Sequence, residues 1–258
     1  GDPGSRRHPR RLPRSRDPGE GSPPGTPLND LFVSERGEGP PLLLIHGTGT
    51  DSRVFESLPS EFEGRRVITY DRLGWGRSTP PEDYGRTSIA EQAIEAAGIL
   101  RERAIASCEV MGIGLGGVVA IEMAVAEPGL VNSASAIEPP VFGLMPAATE
   151  GISHDVEMMR AAAQEGGREA AWELFVTGEL LTLGAGADRF ESVADRGPAA
   201  PVSLLAEIPA VPAWPIDRER IDESGARLKI LTVSSTPPIL IEAANSLAAR
   251  LEHAERVF

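Results

Sequence analysis

Ser107-Cys108-Glu109-Val110-Met111-Gly112-Ile113-Gly114-Leu115-Gly116-Gly117-Val118-Val119-Ala120 is the stretch on which the reading of this chain turns. Ser107 to Met111 is a short run with strand character, and Leu115 to Ala126 is apolar at helical length. Between them lie the glycines at 112, 114, 116 and 117. A glycine-dense passage from a strand into a helix marks a tight turn at which backbone comes close to something else, either another chain segment or a ligand. Two chemistries use such a turn. One is the nucleophile elbow, of form G-x-S-x-G. The other is the dinucleotide fingerprint, G-x-G-x-x-G.

Outward from this turn the pattern alternates. Pro41 to Ile45 is an apolar run between Gly39-Pro40 and His46-Gly47, and Arg66 to Tyr70 is a second strand. Ser88 to Ile105 has helical spacing, with Ile89, Ala93, Ile94, Ala97 and Leu100 on one stripe. Downstream, Ser133 to Ile137 is a strand closed by Glu138-Pro139-Pro140, Leu228 to Val233 another, Ile239 to Leu251 a helix, and Arg256 to Phe258 the start of a further strand. This order predicts an α/β fold, a mostly parallel sheet covered by helices on both faces. Residues 143–220 read as helices and loops without a clear strand, a helical cap over the strand ends. The expected division is a basic Pro/Gly/Arg-rich leader at 1–27, core at 28–142, cap at 143–220 and a second, incomplete part of the core at 221–258.

Composition narrows the function classes. Hydrophobic residues are 41% of the 258, ordinary for a globular protein. The net charge of −13 disfavours nucleic acid as a partner, because phosphate is repelled. No apolar run approaches the roughly 20 residues that span a bilayer, and no signal-peptide pattern opens the chain, so a cytoplasmic location and no membrane partner are expected. A single cysteine, Cys108, excludes an internal disulfide framework. Residues 1–27 hold too few apolar side chains to offset the entropy of ordering.

Four local patterns then fall in order: the strand running into His46-Gly47-Thr48-Gly49, the run Tyr70-Asp71-Arg72-Leu73-Gly74-Trp75-Gly76-Arg77-Ser78, the turn at 112–117, and Ala136-Ile137-Glu138-Pro139-Pro140. Together, over roughly residues 31–258, they resemble the α/β-hydrolase family of esterases, epoxide hydrolases and dehalogenases. The resemblance implies cleavage of a small, fairly apolar ester or related bond, without cofactor or metal. It implies an oxyanion hole formed by Gly47, Thr48 and the backbone of Leu115, and it puts the nucleophile at Gly114. Glycine has no side chain and cannot attack a carbonyl. Losing a triad nucleophile costs roughly 10⁶ in rate in a well-studied serine protease. The turn Ser234-Ser235-Thr236-Pro237-Pro238, where many members carry the acid, has no carboxylate, so Glu138, one strand earlier, is the candidate acid. The family's catalytic histidine is expected beyond Phe258, after a strand the chain does not include. His8 (leader), His46 (before the oxyanion-hole glycine), His154 (cap) and His253 (before the last strand) do not match it.

Two other readings stay open. Gly112, Gly114 and Gly117 satisfy the dinucleotide fingerprint, with Glu138 placed for a ribose, although His46-Gly47 and the run at 71–78 have no role in it. The third is a non-catalytic relative that keeps a pocket for a small apolar ligand. Met145, Met158, Met159, Trp172, Phe175, Leu180 and Trp214 are available to line such a pocket or to pack the cap. Should hydrolysis occur, Thr48, Thr50 and Asp51 are the substitute nucleophiles nearest the turn.

Overall fold

The computed structural model describes residues 31–56, 62–178, 180, 182, 197–215 and 217–258. The leader expected at 1–27 lies outside them.

A seven-stranded sheet forms the centre: β1 (Val33–Arg36), β2 (Pro41–Ile45), β3 (Arg66–Tyr70), β4 (Cys108–Ile113), β5 (Val131–Ile137), β6 (Leu228–Leu231) and β7 (Ala254–Val257). Their spatial order is β1-β3-β2-β4-β5-β6-β7. Only β1 runs antiparallel, on β3; the other pairs are parallel. The fold is the α/β arrangement that the alternating pattern predicts. β2 shows why a continuous apolar run reads as a parallel strand, since Leu42 to Ile45 are buried on both faces.

Helices α1 (Ile89–Glu102), α2 (Leu115–Ala126) and α8 (Pro238–Ala248) alternate with the strands. Ser88 caps the N-terminus of α1: its hydroxyl accepts from the Glu91 N–H at 3.1 Å and donates to the Glu91 carboxylate at 2.9 Å. Every residue of α2 from Leu115 to Val125 is buried, as expected of a helix apolar on all sides. Between β5 and β6 the described residues form α3 (Pro146–Gly166), α4 (Arg168–Thr177), α5 (Ala200–Glu207), α6 (Ala210–Ala213) and α7 (Arg218–Glu223). Proline at the first turn of α3 costs no hydrogen bond, and Gly167, at φ +81°, ends that helix.

Strand order places the site. After β2 the chain moves outward to β3; it then returns across β2 to lay β4 on the other side. The turns leaving the C-terminal ends of β2 and β4 therefore face one another across the crevice where open α/β sheets bind ligands.

Candidate functional site

The first wall is the turn after β2. His46 is fully buried, with Nδ1 2.8 Å from the Gly47 carbonyl and Nε2 accepting the Arg72 backbone N–H at 2.8 Å. These partners require Nδ1 to carry the proton and Nε2 to be bare, so the ring is neutral. Burial, reinforced by the Arg72 charge, pushes its pKa down to about 3. The Thr50 hydroxyl also donates to the Gly47 carbonyl, at 3.0 Å. A trans peptide is planar, with C=O and N–H opposed. Holding the Gly47 carbonyl from two sides therefore fixes the Thr48 N–H in the opposite direction.

The second wall is the turn after β4. Gly114 sits at φ +56°, ψ −124°, a region that L side chains rarely adopt. Its N–H donates to the Ile137 carbonyl at 2.8 Å, and its own carbonyl accepts from Gly117 at 2.9 Å. A Cβ at Gly114 would meet nothing nearer than the Gly47 Cα, 3.8 Å away. The other glycines fill a different need. A Cβ at Gly116 would lie 2.3 Å from the Ile45 carbonyl oxygen, and one at Gly112 would lie 2.0 Å from that of Gly116. These two permit close backbone contact, and Gly114 permits a turn. Leu115 opens α2, where the first N–H groups have no partner inside the helix and the dipole is positive.

The third wall is Glu138, at the end of β5 with φ +52°. It is buried, its N–H donates to the Leu231 carbonyl at 2.9 Å, and its carboxylate accepts from the Thr236 hydroxyl. Thr236 lies in the turn after β6, so the carboxylate from one strand earlier reaches the place where the resemblance puts the acid.

Gly47, Thr48, Thr50, Gly114, Leu115 and Glu138 line one cavity of about 220 Å³. Apolar side chains complete it: Val54 and Ile113, Phe142, Phe175 of α4, Ile208, Val211 of α6, and Ile239 and Leu240 of α8. Thus Gly47, Thr48, Gly114, Leu115 and Glu138, all named from the sequence, border the same space, with Thr50 beside them. Of the apolar side chains considered for a pocket, Phe175 lines this cavity. Met145, Met159, Trp172, Leu180 and Trp214 are buried in the main core, and Met158 packs against it.

Other expected groups lie elsewhere. Asp51 is buried and ion-paired with Arg53. His154, on α3, and His253 are exposed at the surface, and no histidine is among the described residues lining the cavity. The run at 70–78 is a braced turn. The Asp71 carboxylate accepts from Ser52 N–H at 2.9 Å and from Arg77 N–H and Nε at 2.9 and 2.8 Å. Burial alone would raise its pKa, but these bonds outweigh burial and hold it below the usual range. From the same run, Arg72 reaches into the helical insert. Its Nη1 donates to Glu207 of α5 at 2.6 Å and to Gln92 of α1 at 2.8 Å, and Trp75 Nε1 donates to Glu207 at 3.1 Å. Nothing in the sequence pattern points to Glu207, because 135 residues separate it from Arg72.

Among the described residues no helix is long and apolar enough to cross a membrane, and no three His, Cys, Asp or Glu side chains are grouped to hold a metal ion.

The chain resembles proteins of known sequence over part of its length. It is 39% identical to a proline iminopeptidase of Lactobacillus helveticus over 94 residues, 35% of this chain and 32% of the relative. It is 37% identical to a 2-hydroxymuconate semialdehyde hydrolase of Pseudomonas putida over 103 residues, 39% and 36% of the two chains. Each match spans about a third of the curated relative. Among solved structures, a carboxylesterase of Nitrososphaera gargenis superposes with a TM-score of 0.68 at 19% identity, covering 91% of this chain and 88% of that one. A hydrolase of Pseudomonas aeruginosa PA01 gives 0.67 at 19%, covering 88% and 84%. Likeness at that identity speaks for the fold. The profile of the alpha/beta hydrolase family matches residues 42–257, most of the sheet and its helices, and the chain belongs to that family.

Proposed function

We propose that this chain binds a small, apolar carbonyl compound, an ester or a related acyl derivative, in the cavity between the β2 and β4 turns, and that it does so without forming an acyl-enzyme. In this reading residues 143–220 cap the cavity over a core formed by 28–142 and 221–258. The backbone N–H groups of Thr48 and Leu115 receive the carbonyl oxygen as an oxyanion hole would. Glu138 is the one carboxylate among the described residues of the lining. The volume is below the roughly 300–1,000 Å³ of drug-sized sites, so the ligand is small.

The observation that carries the proposal is Gly114. Its backbone has the strained turn geometry that presents a nucleophile, and there is open space where a side chain would project. There is no atom to attack. Covalent catalysis at the elbow needs a nucleophile activated by a base; position 114 supplies no nucleophile, and no histidine is among the described residues of the lining. Binding a nucleotide fits less well, because no arginine or lysine is among the described residues of the lining to meet a pyrophosphate, and Glu138 would repel one.

Incubation of the purified chain with p-nitrophenyl butyrate should release no more p-nitrophenol than a heat-killed control. Ethyl butyrate should meanwhile perturb the Thr48 and Leu115 amide resonances in a saturable way. Gly114→Ser alone should restore little turnover, since no base is supplied. Turnover by the unmodified chain would overturn the proposal and direct attention to Thr48 and Thr50, which line the same space.

A further inference from the structure

We propose that Glu207, in the helical insert, is a positioning residue for the carbonyl-binding turn, acting through Arg72 and His46. The inference rests on reading the Thr48 N–H as a ligand donor, but its first test needs no ligand.

A continuous series of buried polar contacts links the two. The Glu207 carboxylate accepts from Arg72 Nη1 at 2.6 Å and Nη2 at 3.3 Å, with both side chains about 2% exposed. Arg72 then grips the turn after β2 at two points. Its Nε donates to the His46 carbonyl at 3.0 Å, and its backbone N–H donates to His46 Nε2 at 2.8 Å. His46 passes the constraint on, because its Nδ1–H meets the Gly47 carbonyl at 2.8 Å. The His46–Gly47 and Gly47–Thr48 peptide planes are each held by their carbonyl oxygens. A planar peptide leaves the opposed N–H no freedom once its carbonyl is fixed. The direction of the Thr48 N–H therefore depends on a carboxylate supplied from α5.

The guanidinium is what makes Glu207 necessary. Arg72 carries a cationic guanidinium. Being buried, it must place its charge on a partner, and Glu207 is the carboxylate it touches. Without that carboxylate the guanidinium keeps only the neutral Gln92 oxygen on Nη1 and is drawn from the His46 carbonyl toward whatever solvates it better.

The molecule supplies its own control. Glu122 of α2 accepts from Trp214 Nε1 at 3.0 Å and from Arg220 of α7 at 2.9 and 2.7 Å. None of these bonds of the second link between core and insert goes to the turn after β2. Breaking either link loosens the insert, but breaking the Glu207 link alone should redirect Thr48.

The test uses the full chain, ¹⁵N-labelled, as wild type, Glu207→Gln and Glu122→Gln. Glu207→Gln should move the Gly47 and Thr48 amide resonances and weaken binding of ethyl butyrate about tenfold, within the usual range for coupled sites. Glu122→Gln should lower stability while leaving both readouts at their wild-type values. Equal behaviour of the two variants at Thr48 would overturn the proposal. Should Glu207→Gln fail to fold, Glu207→Asp keeps the charge but shortens its reach, and the same amide shift is expected. An unmoved Thr48 in Glu207→Asp, with the Arg72 side-chain resonances displaced, would also overturn it. If wild type fails to bind ethyl butyrate while Thr48 moves in Glu207→Gln, the positioning role stands and the reading of the cavity falls. If wild type binds and Thr48 stays still in the variant, the positioning role falls alone.

Discussion

The turns after β2 and β4 face each other across one cavity, yet they are held by opposite means. The β2 turn is fixed by side chains: His46, Thr50 and Arg72, with Glu207 behind them. The β4 turn is fixed by the lack of side chains, because Gly112 and Gly116 let backbone oxygens come where a Cβ would collide. The first is electrostatic and should respond to pH and charge. The second is steric and should respond only to volume. The two meet at Gly116, where a Cβ would collide with the carbonyl oxygens of Ile45 and His46.

The largest effect should come from joining these two modes. Gly116→Ala drives a methyl group to 2.3 Å from Ile45 O and 2.5 Å from His46 O, both backbone atoms. A loss of about 4 kcal/mol or more is expected, the range reserved for gross strain or burial faults. Chemical denaturation would measure it, and wild-type stability would show that the turns can separate freely. Next, Glu207→Leu strips the partner from a buried guanidinium. Breaking such a pair by removing one side costs about 3–5 kcal/mol. A change below 1 kcal/mol would mean that Arg72 finds another partner and that the β2 turn is not held electrostatically.

A smaller effect should appear with pH. The folded-state pKa of His46, about 3, lies below the roughly 6.5 of an unfolded histidine. The unfolded chain therefore takes a proton that the folded chain refuses. The stability this histidine contributes is complete above about pH 6.5 and is lost as pH falls toward 3. Between pH 7 and pH 5 the loss should be about 2 kcal/mol. His46→Gln should flatten that slope, whatever its absolute stability; an equal slope in both proteins would place the titrating group elsewhere. The smallest effect belongs to Gly114→Ser. The site has room for the side chain, so only the strained positive-φ backbone counts against it, about 1–2 kcal/mol, the low end for such conformations. A much larger loss would show that the β4 turn needs glycine for space at this position too.

The sequence made one of these modes more legible than the other. Glycine spacing at 112–117 is local, and with the apolar runs beside it the order strand, turn, helix can be read directly; α2 begins and ends at Leu115 and Ala126 as expected. β2 and β3 likewise keep the bounds read from their apolar runs. β1 was not foreseen, because Val33-Ser34-Glu35-Arg36 is an edge strand with three exposed polar residues and no apolar alternation. β6 stops at Leu231, short of the expected Val233; the Thr232 N–H still bonds Val257, but Val233 turns outward to Thr236 and is about half exposed. α8 ends at Ala248 instead of Leu251, whose burial after the helix mimics one more apolar position on its stripe. At the site, Gly47, Thr48, Leu115 and Glu138 were legible because each follows a strand and lies at the same end of the sheet. The Arg72–Glu207 pair was not, since charge complementarity across such a separation leaves no periodic trace.

The parallel sheet also sorts the chain into a working end and a free end. All the cavity turns leave the C-terminal ends of strands, whereas α2 carries the chain back to the opposite end before β5 begins. There the link between Ala126 and Val131 holds Gly129, around which a Cβ would find nothing within 4 Å. This link is thus a natural attachment point. A fluorophore or surface anchor placed at Gly129 would hold the molecule by the end remote from its ligand and leave the mouth of the cavity facing solution.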